Sequence, residues 1–133
     1  MSNISTVQHL YAAFGTGDVP TILSHLDEDV EWEYAMPDAG VPWLQPQRGR
    51  ANVGKFFESL AALEFETFQP KTFLESDNIV IALIDVGLVV KATGRKIKEE
   101  DEVHIWHFDS KGRVTKFGHK VDTHQHWAAF QSQ

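Results

Sequence analysis

The stretch that decides the fold is Glu99 to Thr123, EEDEVHIWHFDSKGRVTKFGHKVDT. Polar and apolar residues alternate on both sides of Asp109-Ser110-Lys111-Gly112, a turn signal, and so predict two long antiparallel strands. Successive side chains on a strand point to opposite faces, which puts Glu102, His104 and Trp106 together on the first strand. Phe117, His119 and Val121 share a face of the second. A carboxylate and two imidazoles among large aromatics suit a small-molecule pocket better than a plain core. If Phe108 pairs with Arg113 across the turn, Glu102 lies opposite His119 and His104 opposite Phe117. Cross-strand Cβ atoms are about 4.5–5.5 Å apart, close enough for a carboxylate–imidazole hydrogen bond. That bond would orient the ring and favour its charged form, while burial opposes the charge.

Upstream of this hairpin the pattern is helical. Ile4, Val7, Leu10, Tyr11 and Phe14 recur at helical spacing and predict an amphipathic helix over 3–14, stopped by Gly15 and Gly17. Asp18 reads as the N-cap of a second helix that tolerates Pro20 in its first turn. Asp27-Glu28-Asp29 reads as a polar turn, and Val30 to Tyr34 as a half-buried strand. Its alternation points Trp32 and Tyr34 inward and Glu31 and Glu33 to water. Pro37 to Gln47 is an irregular loop whose Trp43 suits a lid or cavity wall. Val53, Phe56, Phe57 and Leu60 give a third helix an apolar stripe.

From Phe65 onward strands are expected: Phe65 to Leu74, then Ile79 to Val90, whose nearly continuous apolar run predicts burial on both faces. Within that run Asp85 needs a structural partner and Gly87 is a candidate bulge. After the hairpin, Thr123 to Phe130 reads as a helix capped by Asp122 or Thr123. The order is that of one α+β domain over 1–133, with helices packed on one face of a curved, mostly antiparallel sheet.

Charge and composition narrow the function. The 133 residues are 42% hydrophobic and carry 12 basic against 19 acidic side chains, a net −7. Nucleic acid and anionic membranes demand a positive patch and are not expected as partners. The basic cluster Lys91, Arg95, Lys96 and Lys98 surrounds a turn and reads as a solvated hairpin. The absence of cysteine excludes disulfides, thiol catalysis and thiolate metal sites. No run of about 18 apolar residues is present, and MSNISTVQHL lacks the pattern of a secretion signal, so a cytoplasmic protein is expected.

Several motifs in order resemble the SnoaL-like (polyketide cyclase-like) branch of the ketosteroid isomerase and nuclear-transport-factor-2-like superfamily. They are Tyr11-Ala-Ala-Phe14 with Gly17-Asp18, Asp29-Val-Glu-Trp32, Val41-Pro42-Trp43, Arg48-Gly49-Arg50 with Val53, Phe56 and Phe57, and Lys116-Phe117 through Val121-Asp122-Thr123. The resemblance spans the chain. It implies a cone-shaped, strongly curved sheet wrapped around helices, a cystatin-like α+β barrel with an open-ended ligand cavity. It also implies a homodimer through the outer sheet face, where Val103 and Ile105 are apolar. The steroid isomerases' catalytic tyrosine and two aspartates would fall on Leu10, Tyr34 and His104. None is matched, so isomerisation by that mechanism is not expected. His104 agrees with many SnoaL-like relatives, which often carry a carboxylate where this chain has His119.

Together these features make His104, His119, Glu102 and Tyr34 the candidate catalytic set. One imidazole would remove a proton beside a carbonyl, and the tyrosine or second imidazole would stabilise the oxyanion. Trp32, Trp43, Trp106, Phe57, Phe117 and Val121 are the candidate ligand-binding wall. Two histidines and a glutamate could in principle ligate a metal, but catalysis in the family is typically metal-free, and neither metal nor cofactor is expected. His124 and His126 in the last helix diverge at i, i+2 and form a weaker ligand pair still. Three functions remain: a cofactor-independent isomerase, cyclase or dehydratase acting on a hydrophobic molecule, a protein that only binds one, and a non-catalytic dimerisation module. Polar groups facing a cavity favour the first two, and nothing in the sequence separates those.

Overall fold

The computed structural model describes residues 2–36 and 38–131; Pro37, which opens the expected loop, lies outside them. Helix α1 (Asn3–Gly15) starts where the Ser2 hydroxyl accepts the Ser5 N–H. It ends in a left-handed turn at Gly17, φ 73°, with Asp18 N–H donating to the Ala13 carbonyl and Gly17 N–H to that of Phe14. A residue with a Cβ resists that backbone region, which is why glycine closes the helix. The Asp18 carboxylate accepts the Thr21 N–H and caps α2 (Val19–Ser24). Strand β1 (Leu26–Trp32) follows, then a 3₁₀ turn (Pro42–Leu44), the two-residue strand β2 (Gln47–Arg48) and α3 (Arg50–Ser59). A second 3₁₀ turn (Leu60–Ala62) leads into β3 (Leu63–Ser76), β4 (Ile79–Val90), β5 (Lys96–Phe108) and β6 (Val114–Lys120). Asp122 caps α4 (Thr123–Phe130) by accepting the Gln125 N–H.

These strands make one mixed sheet in the order β2-β1-β6-β5-β4-β3. Only β1 with β6 is parallel; β3 through β6 form the expected antiparallel meander. The expected cone does not form. The sheet is open, neither closed into a barrel nor strongly curled around the helices. Closure requires the two edge strands to hydrogen-bond to each other. One edge here is β2, with only two residues, and it pairs with β1 alone. The helices instead cover one face: Val7 and Leu10 of α1 and Val53 of α3 pack on Trp32, Trp106, Phe108 and Phe117.

Other expectations shift locally. β1 begins at Leu26, so Asp27-Glu28-Asp29 belongs to the strand, and it ends at Trp32, before Tyr34. β4 is buried on its inner face only; every second residue, from Ile79 to Val89, is half-buried. Asp85 does have partners, the Lys71 ammonium at 2.8 Å and the Asp101 N–H. The irregularity between β4 and β5 falls at Asp85 rather than Gly87, which keeps its pairing with Lys98. Ile84 pairs with Glu102 and Val86 with Glu99, so β5 carries the extra residue, and Asp101 sits at φ 59°. A bulge of this kind reverses the alternation of side chains. Ile97 and Glu99 before it and Glu102, His104 and Trp106 after it therefore all turn to the inner side.

Candidate functional site

Between the inner sheet face and the helices lies a cavity of about 700 Å³, its open mouth included. Phe14 of α1, Phe56 and Phe57 of α3, and Phe65 and Phe68 of β3 form one side. Trp32 stacks on Phe117 with ring centroids 4.2 Å apart and extends the aromatic wall onto the sheet. Beside the phenylalanines is a polar wall built by β5, β6 and α4, with Phe56 6.4 Å from the His119 ring and Phe68 6.4 Å from that of His104.

The hairpin brings His104 directly opposite His119 and Trp106 opposite Phe117. The expected register is displaced by two residues. Asp109 N–H reaches the Arg113 carbonyl, so the loop is one residue longer, and Thr115 is skipped between the pairs His107–Lys116 and Phe108–Val114. Glu102 consequently does not hydrogen-bond to His119. Its Oε1 lies 2.8 Å from Nε2 of His104 and 3.9 Å from Nε2 of His119.

On the other edge of His104, the Tyr11 hydroxyl lies 2.7 Å from Nδ1, and Trp106 Nε1–H donates to the same hydroxyl at 3.0 Å. With its oxygen accepting from Trp106, the tyrosine donates to Nδ1, leaving the His104 proton on Nε2 to donate to Glu102. Burial pushes His104 below its ordinary pKa despite Glu102, which favours the same neutral tautomer. Tyr11 is raised by burial and by the Glu102 charge, against the Trp106 hydrogen bond, and remains a phenol. Burial also works to raise Glu102, but the His104 hydrogen bond and the nearby imidazoles bring it below the usual carboxylate value.

His119 is held by Glu33. One carboxylate oxygen accepts both the backbone N–H of His119, at 3.1 Å, and Nδ1–H, at 2.7 Å. Burial alone would lower the His119 pKa; Glu33, with Glu102 and Glu99 behind it, overcomes that and raises it. A third pair completes the wall: His126 of α4 donates from Nε2 to Glu99 and accepts Trp43 Nε1–H at Nδ1, at 2.9 Å.

Of the residues expected at the site, His104, His119, Glu102, Trp32, Trp43, Trp106, Phe57 and Phe117 line this cavity. Tyr34 and Val121 do not. Tyr34 lies on the outer face, its hydroxyl 3.1 Å from His107 Nε2 and its ring over Gly118. Val121 packs instead against a second apolar cluster, which includes Ile84 and Leu88. The reversal begins at Glu33, whose φ of 60° adds an inward residue directly after Trp32. Glu33 is fully buried and Tyr34 is 37% exposed, the opposite of the expected facing.

Sequence reading missed Tyr11, Glu33, Glu99 and His126. Tyr11 was visible only in a helical stripe and a family motif, and His126 only as half of a divergent pair. No local signal marks Glu33 or Glu99, because positive-φ residues that are not glycine set their facing. Among the described residues, no group of three or more histidine, cysteine, aspartate or glutamate side chains is arranged to hold a metal ion. Nor is any helix there long and apolar enough to cross a membrane.

An open mixed sheet with helices on one face and a cavity between them defines an α+β ligand-pocket fold. The profile of the SnoaL-like domain matches residues 7–117, and the chain belongs to that family. It is similar to an NTF2-like protein of unknown function from Burkholderia pseudomallei, at 28% identity and a TM-score of 0.84, covering 99% of this chain and 100% of that one. An NTF2-like protein from Burkholderia xenovorans is 25% identical at a TM-score of 0.84, covering 97% and 95%. TerC, co-crystallized with polyporic acid, shares the fold at 23% identity and a TM-score of 0.81, covering 98% of both chains. No curated protein matches the chain.

Proposed function

We propose that this protein binds a hydrophobic small molecule in the cavity and catalyses acid/base proton transfer on it, of isomerase, cyclase or dehydratase type. One observation carries the reading: in a largely aromatic cavity, the free Nε2 edge of His119 and the carboxylate of Glu102 converge to 3.9 Å. His119, kept charged by Glu33, is the acid or oxyanion partner. Glu102 accepts the substrate proton, and His104 with Tyr11 holds that carboxylate and spreads its charge through a chain of hydrogen bonds. Environments that drive neighbouring groups to opposite protonation states are what acid/base chemistry near neutral pH requires. TerC, which shares the fold, was co-crystallized with polyporic acid, and that supports a small organic ligand here.

The test is to identify the ligand that co-purifies with the protein by native mass spectrometry and follow solvent deuterium into it. Exchange should require the protein and be lost in a Glu102→Gln, His119→Ala double variant. Undiminished exchange in that variant would remove the proposed groups.

A binding-only role has one observation in its favour: both ring nitrogens of His104 are already engaged, as in a structural network. For assembly, the half-buried outer residues Ile81, Leu83, Val103 and Ile105, beside the 55% exposed Leu74, support a homodimer through the outer sheet face.

A further inference from the structure

His119 Nδ1 is bound to Glu33, whereas Nε2 has no hydrogen bond among the described residues. The His119 side chain keeps 11% of its surface exposed, whereas the Glu33 carboxylate that holds Nδ1 is fully buried. Across from Nε2, Glu102 Oε1 stands at 3.9 Å. That separation is too long for a direct hydrogen bond, yet one oxygen atom can sit at about 2.8 Å from both.

We infer that the cavity recognises its ligand by a hydroxyl group on an apolar ring, seated between His119 Nε2 and Glu102 Oε1. The inference rests on the proposal of a small-molecule cavity and names the group the cavity reads. Nε2–H needs an acceptor, Glu102 Oε1 has a second lone pair beyond the one that accepts from His104, and a hydroxyl serves both at once. A ketone or ether oxygen satisfies His119 but offers Glu102 no donor beyond the His104 N–H. A carboxylate faces Glu102, with Glu33 and Glu99 also acting on His119 from close by. An ammonium meets the His119 N–H donor head-on.

The surroundings specify the rest of the molecule. Phe117 stacks beside the His119 ring at 5.9 Å between centroids, and Phe56 meets it edge-on at 6.4 Å. These rings leave apolar surface around the hydroxyl subsite, which suits a cyclic hydrocarbon body. Water has the same donor–acceptor character and would occupy the subsite of the free protein. A ligand that displaces it without reproducing both bonds loses affinity.

Calorimetric titration of the purified chain with three probes on one bicyclic skeleton tests this: tetralol, the ketone tetralone, and tetralin carboxylate. Tetralol should bind at least about tenfold more tightly than either of the others, since a site built around a hydroxyl leaves its polar groups unpaired with the wrong probe. Glu102→Gln should shrink the alcohol-to-ketone ratio to about threefold or less. The wild-type ranking stands alone if that variant does not fold. A ketone or carboxylate bound within threefold of the alcohol, or no saturable binding of any probe, overturns the inference. Alcohol preference without deuterium exchange retains the subsite and removes the catalytic reading; exchange without alcohol preference does the reverse.

Discussion

His104 and His119 stand directly opposite each other on adjacent strands, ring centroids 5.5 Å apart and planes at 90°, yet their surroundings drive them toward different protonation states. His104 is buried between a phenol and a carboxylate and stays neutral. His119 rests on a buried glutamate with two more carboxylates nearby and holds a proton.

Their titrations should therefore separate, with His119 above the ordinary value of 6.5 and His104 below it. Protonated His119 stabilises the fold fully below about pH 6.5, and that contribution is lost as pH rises through the raised folded value. Neutral His104 has the opposite sign: its contribution is full above about pH 6.5 and is lost as pH falls toward the lowered folded value. The two together place a stability maximum near the ordinary histidine pKa. Imidazole NMR titration checks the order, and His104 titrating above His119 would contradict it.

Glu33→Gln removes the charge beside His119 while keeping an acceptor. The His119 pKa should fall, and unfolding free energy in urea should drop by about 1–3 kcal/mol near pH 6, with a smaller loss at pH values above the raised His119 pKa. A loss equal at both values would mean that Glu33 acts by packing alone.

Two tyrosine truncations should differ sharply. Tyr11→Phe leaves Trp106 Nε1 and His104 Nδ1 without their shared partner and should cost about 1–3 kcal/mol. Tyr34→Phe removes a hydroxyl that bonds His107 on the more exposed outer face, and should cost less than about 1 kcal/mol. Chemical denaturation of both variants gives the comparison, and equal costs would argue against a sealed Tyr11 network.

Ile81→Glu sits in the middle of the apolar outer face, where Ile81 pairs with Ile105 on β5 and Leu74 on β3. Light scattering should show a dimer for the wild type and a monomer for the variant, with the cavity's ligand still bound. A wild-type monomer at high concentration would remove the proposed interface.

The sequence fared best where the chain obeys simple periodicity. The amphipathic stripe of α1, the Asp18 and Asp122 caps and the β3–β6 meander follow from the spacing of apolar residues and from side chains that bond nearby backbone. The family resemblance then placed a cavity beside His104 and His119. It also implied a closed cone, and there it misled: closure depends on β2 and β3 meeting, and nothing local to either strand states that distance.

Facing failed at two places and register at a third. Glu33 and Asp101 take left-handed backbone at a cost of roughly 1–2 kcal/mol each, and Thr115 is skipped in its ladder. Each of the first two adds a residue to an alternating count and reverses the residues after it. The first buries Glu33 and puts Tyr34 outside. The second turns Glu99 inward together with Glu102, and the third sets His104 rather than Glu102 opposite His119. Tertiary bonds hold these conformations: Glu33 to His119, and Lys71 bridging Asp85 and Asp101.

By itself, then, the sequence determined that a polar, histidine-bearing hairpin lies against helices in an α+β domain of this family. That information is local and periodic. Which carboxylate serves which histidine, which tyrosine enters the cavity, and whether the sheet closes were decided only by tertiary structure. Those outcomes depend on bulges and on contacts between residues as far apart as Tyr11 and His104, or Glu33 and His119, which no window of neighbouring residues contains.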